Sequence, residues 1–314
     1  MITEQTVFII GAGGSKPFGF PTGQDLRESI CIQYINKFVK LINNKLGSAE
    51  LERRNIEIAK KFAEAFYNSN TKSIDLFLSR NQDFSTSGKR AISLEILEAE
   101  RGFKKTGLSY LKNDWYGYLF NRMSETLIRK DDYKLFQNNR VTFITFNYDR
   151  SFENFLENSL SNSFLLNPEA ILQKVKSIPI YHIYGQIGFL PWQTSKPTIY
   201  FGQGFDLELI DSIQSNIKII YDFEKHVEDE ILNKIKEAER IFFLGFGYAE
   251  ENLKLLNIPK GLVKGQKVFG TALGFYEEEI IRTKLKLNGN WVNNFVDDMI
   301  LENCDCLTLL RKYL

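Results

Sequence analysis

Residues 7–25, VFIIGAGGSKPFGFPTGQD, constrain the fold more than any other stretch of the chain. An apolar run, Val7 to Ile10, breaks into Gly11-Ala12-Gly13-Gly14-Ser15, and a loop carrying Pro17 and Pro21 follows. Thr22 and Asp25 then stand at capping-box spacing, which predicts a helix start at Thr22. Leu26, Ile30, Tyr34, Phe38 and Leu41 recur every three or four residues and extend that helix to about five turns. A strand running through glycines to a helix is the first half of a nucleotide-binding βα unit. Bare backbone can approach a phosphate there, and the amides of the first helical turn can face it. The same glycines also suit an ordinary tight turn.

Three later strands end in similar fashion. Val141 to Phe146 is β-branched and aromatic throughout, as a strand buried on both faces must be. It stops at Asn147-Tyr148-Asp149, before a helix with Phe152, Phe155, Leu156 and Leu160 on one side. Ile178 to Tyr184 runs into Gly185, and alternation puts Ile180, His182 and Tyr184 on one face. Ile241 to Leu244 enters Gly245-Phe246-Gly247-Tyr248 and leaves through a helix from Glu250 that contains Asn252. Lys267 to Leu273 predicts a further core strand with a helix after Gly274. Thr198 to Phe201 predicts a short strand, with helices from Leu207 and over about 223–240, and an amphipathic helical tail from Trp291. Strands alternating with helices define an α/β protein with a Rossmann-like parallel sheet and helices on both faces. Residues 43–134 carry helical periodicity alone, over Leu51–Phe66, Ile74–Leu78, Ala91–Glu100 and Leu111–Ile128. The expected organisation is a Rossmann-like domain over 1–42 and 135–314, with a helical insertion over 43–134.

Composition narrows the function classes. Forty basic residues against 39 acidic ones leave a net charge of +1 in 314 residues, so global charge implies no nucleic-acid partner. Three cysteines without a CxxC pair fit a reducing cytoplasm, and with only two histidines a structural zinc site lacks ligands; no metal is expected. The apolar N-terminus lacks a basic leader, and no run approaches the ~20 residues of a membrane helix. A cytoplasmic protein away from membranes is expected.

The order GAGGS…FP, TFNYD, a His-bearing strand ending in Gly, and LGFGY with an Asn in the next helix resembles the sirtuin superfamily over about residues 5–30 and 138–275. Sirtuin deacylases carry two Cys pairs on a zinc lobe; here helices occupy that place. The chain therefore looks like the zinc-free, sirtuin-like NAD-degrading effectors of bacterial antiviral defence. The resemblance implies an NAD+ glycohydrolase that acts against phage by abortive infection. In such an enzyme water attacks the ribose as nicotinamide leaves.

What the resemblance implies falls on named residues. Gly11, Ala12, Gly13 and Ser15 hold the diphosphate, and Phe20, Pro21 and Thr22, with Phe18, close over nicotinamide. Asn147 orients the ribose hydroxyl or the water, and Asp149 binds the carboxamide or caps its helix. Gly245, Phe246, Gly247 and Asn252 bind the adenosine half. The sirtuin base directly precedes a glycine, where this chain has Tyr184 before Gly185. His182 lies two residues earlier on the same face. His182 is taken as the base because its ordinary pKa, near 6.5, suits neutral pH better than a phenol near 10. A constitutive NADase would poison its cell, so a separate sensor or activator protein, or homo- or hetero-oligomeric assembly, is expected to gate it. A non-catalytic NAD- or ADP-ribose-sensing module is the alternative, ahead of a deacylase or an ADP-ribosyltransferase. Trp115, Tyr116, Trp192 and Trp291 read as core or interface aromatics, and His226 as a solvated helix residue.

Overall fold

The computed structural model describes residues 1–43, 49–106, 112–193, 198–223, 227–289 and 298–314. Six strands form one parallel sheet: β1 (Thr6–Ile10), β2 (Val141–Thr145), β3 (Ile180–His182), β4 (Arg240–Leu244), β5 (Lys267–Thr271) and β6 (Asp298–Glu302). Their spatial order is β3-β2-β1-β4-β5-β6, with every neighbouring pair parallel. This is the strand order of a Rossmann-like fold, and the direction of winding reverses between β1 and β4.

Register follows from one row of side chains. Ile180, Phe143, Phe8, Phe242, Phe269 and Ile300 are successive partners across all six strands, so they share one face of the sheet. The four phenylalanines stack at centroid separations of 5.1, 5.4 and 4.9 Å. Phe152 of the helix Ser151–Phe164 covers Phe143 at 4.6 Å, and Tyr313 of the helix Cys306–Tyr313 stacks on Phe269 at 4.8 Å. Those two helices therefore lie on the same face. Gly270, the next position along β5, is small because a Cβ there would meet the Tyr248 hydroxyl at 2.2 Å.

Contacts divide the described chain into two compact units. The first, 1–18, 108–183 and 224–314, holds the sheet. The second, 19–107 and 184–223, is built from the helices Gly23–Ile32, Tyr34–Asn43, Ala49–Asn68, Ile74–Arg80, Ser85–Thr106 and Leu207–Ile213. Its core is a cluster of Tyr34, Phe38, Phe62, Phe66, Phe77 and Phe84. Arg90 clasps Asp211 through two hydrogen bonds, and buried Glu95 accepts from Lys37 at 2.8 Å and from Ser29 at 2.7 Å.

Several expectations change. The predicted five-turn helix is two helices parted at Gln33, and Ile42 takes the buried place expected of Leu41. The helix expected over Leu111–Ile128 is described only as Trp115–Ser124, and that over 223–240 as Asp229–Glu237. Thr198–Phe201 forms no strand; the Ile199 amide donates to the Phe189 carbonyl. The tail holds β6 before its helix, and Trp291 lies outside the described residues. Among those residues no helix is long and apolar enough to cross a membrane.

If the aromatic row fixes register, its centre is the costliest place to cut. Phe242→Ala is expected to lower stability by about 3–5 kcal/mol, read from the urea unfolding midpoint, with Phe242→Leu losing much less.

Candidate active site

Two glycine turns meet where the sheet reverses. The Gly11 amide bonds the Leu244 carbonyl at 3.0 Å, and the Gly13 amide bonds the Gly245 carbonyl at 3.0 Å. A Cβ on Gly11 or Gly13 would lie 2.6 or 2.8 Å from the Gly245 oxygen, and one on Gly245, at φ +57°, would lie 1.9 Å from the Gly14 nitrogen. The turns after β1 and β4 thus touch backbone to backbone. Together with Gly14, which bonds Gly11 at 2.8 Å, the amides of Gly11 and Gly13 are already committed to carbonyls. Close packing accounts for Gly11, Gly13 and Gly245, and a diphosphate would find the amides of Gly11, Gly13 and Gly14 occupied. Gly247 is exposed with open space at its Cα, whereas Phe246 is buried beside Phe146 and Phe243. Asn252 is half-buried in the helix Glu250–Leu255, and Ala12 half-buried in the glycine turn.

The polar cluster lies at the carboxyl ends of β1, β2 and β3. Alternation carries the aromatic row up to Ile10, Thr145 and His182, and there the face turns polar. Asn147, 7% exposed, donates through Nδ2 to the Gly11 carbonyl at 3.2 Å and to Ser15 Oγ at 2.9 Å. The Gly11 oxygen can only accept, so the amide nitrogen must face the glycine turn. Asn147 Oδ1 is then left buried without a hydrogen-bond partner. An orphaned buried acceptor costs about 1–3 kcal/mol.

Asn147 belongs to the wall of a small pocket, about 10 Å³ in volume, with Ser15, Tyr116, Thr145, Asp149 and Glu153. That is room for about one water molecule. Trp115 locks the glycine turn by donating from Nε1 to the Gly14 carbonyl at 2.8 Å. The Phe18 ring stacks on Tyr116 at 3.7 Å, and the Tyr116 hydroxyl lies 2.8 Å from Ser151 Oγ.

Asp149 accepts from the Ser151 amide at 3.1 Å and from the Ser151 hydroxyl, so it caps the helix from one position before the N-cap, Arg150. Burial pushes the Asp149 carboxyl above its ordinary range, while the bonds from Ser151 and Ser15 pull it back. His182 is held on both sides: Nδ1 lies 2.9 Å from the Asn147 carbonyl and Nε2 2.5 Å from Glu153 Oε1. Burial draws the imidazole pKa down, but the Glu153 carboxylate, the Asn147 carbonyl and Asp149 outweigh it, and the net shift is upward. A general base needs an unengaged lone pair, and His182 presents none to the pocket.

The remaining expected residues belong to the second unit. Thr22 caps the helix Gly23–Ile32 with the reciprocal Asp25 bonds its spacing predicts, at 2.9 and 3.2 Å. Pro21 is half-buried before it, and Phe20 is buried beside Phe103 at 6.0 Å. Tyr184 is buried at 6.0 Å from Phe223. Gly185, at φ +70°, bridges to Ile217, and a Cβ there would meet the Asn216 carbonyl at 1.9 Å. That bridge is why glycine follows Tyr184. Trp192 is buried, and His226 lies outside the described residues.

Sequence reasoning did not single out Ser151, Glu153 or Thr145 for the site, and it read Tyr116 as core. One signal was present: Glu153 interrupts the apolar face begun by Phe152 in the helix that leaves the Asn147 strand end. Among the described residues no group of three or more His, Cys, Asp or Glu is placed to hold a metal ion. No protein-family model matches the chain, and no curated protein matches it.

Two outcomes follow. Gly245→Ala is expected to cost about 2–4 kcal/mol in urea unfolding, through backbone collision and the left-handed φ. Because the folded-state pKa of His182 is raised, its stabilisation is fully present below the unfolded value and is lost as pH rises through the folded one. The melting-temperature gap between wild type and His182→Gln should therefore be widest at the acidic end of a series from about pH 5.5 to 9 and close towards the alkaline end.

Proposed function

We propose that this protein is an NAD+ glycohydrolase, cleaving the nicotinamide–ribose bond to give nicotinamide and ADP-ribose. The single observation that carries the reading is the buried, unpartnered Asn147 Oδ1 at the wall of a water-sized pocket, on the carboxyl ends of a Rossmann-like sheet. A ribose hydroxyl or a water molecule supplies the donor that this oxygen lacks. The order of sequence motifs shared with sirtuin-like effectors supports the choice of NAD+ over other nucleotides.

In this reading water adds to the anomeric carbon as the carbon–nitrogen bond breaks. The bonding pair passes to the nicotinamide ring and neutralises it. The water proton passes to Asp149 through the Ser15 hydroxyl and from there to solvent. Asp149 suits this role because burial raises its affinity for a proton. Asn147 aligns the ribose, and His182 fixes Asn147 rather than taking the proton. The rest of the dinucleotide extends towards Gly247 and Asn252, and its diphosphate does not depend on the amides of Gly11, Gly13 and Gly14. In the cell the protein acts as an NAD-depleting effector of anti-phage defence in the cytoplasm, held silent until a partner protein or assembly activates it.

A specific observation favours a second reading, a non-catalytic module that senses NAD or ADP-ribose: both His182 nitrogens are engaged, and three glycine amides are spent on packing. One comparison separates the two. NAD+ is incubated with the purified chain, and NAD+ is also followed during phage infection in cells expressing it. Wild type should release nicotinamide in at least one of these settings, and Asn147→Ala should reduce release about a hundredfold or more while the fold persists. NAD+ left intact in both settings, with saturable ADP-ribose binding, would establish the sensor instead.

A further inference from the structure

Glu153 is buried at 2% exposure in the first turn of the helix Ser151–Phe164, a costly place for a carboxylate. Its role follows from what it touches. Glu153 Oε1 lies 2.5 Å from His182 Nε2, and His182 Nδ1 lies 2.9 Å from the main-chain carbonyl of Asn147. That carbonyl can only accept, so Nδ1 must carry a proton. A Glu153 carboxylate requires Nε2 to carry one as well. The same Asn147 is held from its other end by Gly11 and Ser15, which leaves Oδ1 as its one unpaired polar atom. The main chain and the side chain of Asn147 are thus pinned from opposite sides.

We propose that Glu153 is a positioning residue: it holds His182 as a doubly protonated donor, and His182 in turn clamps the Asn147 carbonyl so that Oδ1 keeps its place in the pocket wall. The chain of contacts from Glu153 through His182 to Asn147 makes the acceptor geometry depend on a charge that need not touch the ligand through that bond. Asp149 is the other carboxylate acting on the imidazole, and it adds to the same effect. The clamp stands on geometry alone; only its consequence for a bound ribose rests on the proposed function.

The sequence contains two histidines, so nitrogen-15 labelling of histidine gives few enough signals to follow His182 directly. In wild type both His182 ring nitrogens should carry the imidazolium signature at neutral pH and keep it above the ordinary titration point near 6.5. In Glu153→Gln the ring should become singly protonated, with its titration moved down by at least about one pH unit. A wild-type His182 that is neutral at pH 7, or that titrates identically in Glu153→Gln, overturns the proposal. If Glu153→Gln does not fold, the wild-type titration still decides. ADP-ribose binding by calorimetry supplies the second readout. Glu153→Gln should weaken it about tenfold, and should add little further loss in an Asn147→Ala background, since both act through one oxygen. Full additivity in that cycle also overturns the clamp. An imidazolium signature lost in Glu153→Gln, with no ADP-ribose binding by any protein and no nicotinamide release by wild type, would uphold the clamp and reject the NAD reading.

Discussion

The row of phenylalanines across β2, β1, β4 and β5 is the contact on which the rest of the molecule depends. In a parallel sheet a slip of one residue exchanges the two faces of a strand, so register must be specified side chain by side chain. Phe143, Phe8, Phe242 and Phe269 do this by meeting at one level, and Phe152 and Tyr313 clamp the row from above. Each ring contributes about 1.5–3 kcal/mol of burial, and each pair a further ~0.5–1.5 kcal/mol. The same alignment decides where chemistry can occur. Two residues beyond the row lie Ile10, Thr145 and His182, and the pocket opens there because the helix carrying Phe152 starts at that level.

The glycine turns show how one sequence signal can serve two physical needs. Gly11, Gly13 and Gly245 were legible as positions where a side chain cannot be tolerated. The opposite backbone excludes it: the turns after β1 and β4 lie in contact, amide to carbonyl. Distance along the chain hides this, since more than 230 residues separate Gly11 from Gly245 and only the strand order makes them neighbours.

Legibility elsewhere follows burial. β1, β2, β4 and β5 were readable because strands buried on both faces must be apolar at nearly every position. β6 was not, since Asp298-Met299-Ile300-Leu301-Glu302 lies at a sheet edge and offers three apolar residues between two acids. Asn147, Asp149 and His182 were readable as polar groups at strand ends, and the structure brings them together. Their roles were not, because a role depends on the partner. His182 looked like a free imidazole until Glu153 appeared beside it, and an acid in the first turn of a helix reads as ordinary dipole compensation.

The cost of this cluster bears on its meaning. Asp149, Arg150 and Glu153 are deeply buried and His182 is half-buried where the ends of β2 and β3 meet the next helix turn, yet taking such groups out of water costs several kcal/mol each before any pairing. An apolar set of similar volume would serve the fold as well or better, as replacement of buried ion pairs elsewhere shows. Stability alone therefore does not account for the arrangement, nor for an orphaned amide oxygen at its centre. Groups of this kind concentrate where a protein must hold a ligand or move a proton. The rigid aromatic row beneath them is what allows the fold to carry that expense at one end of the sheet.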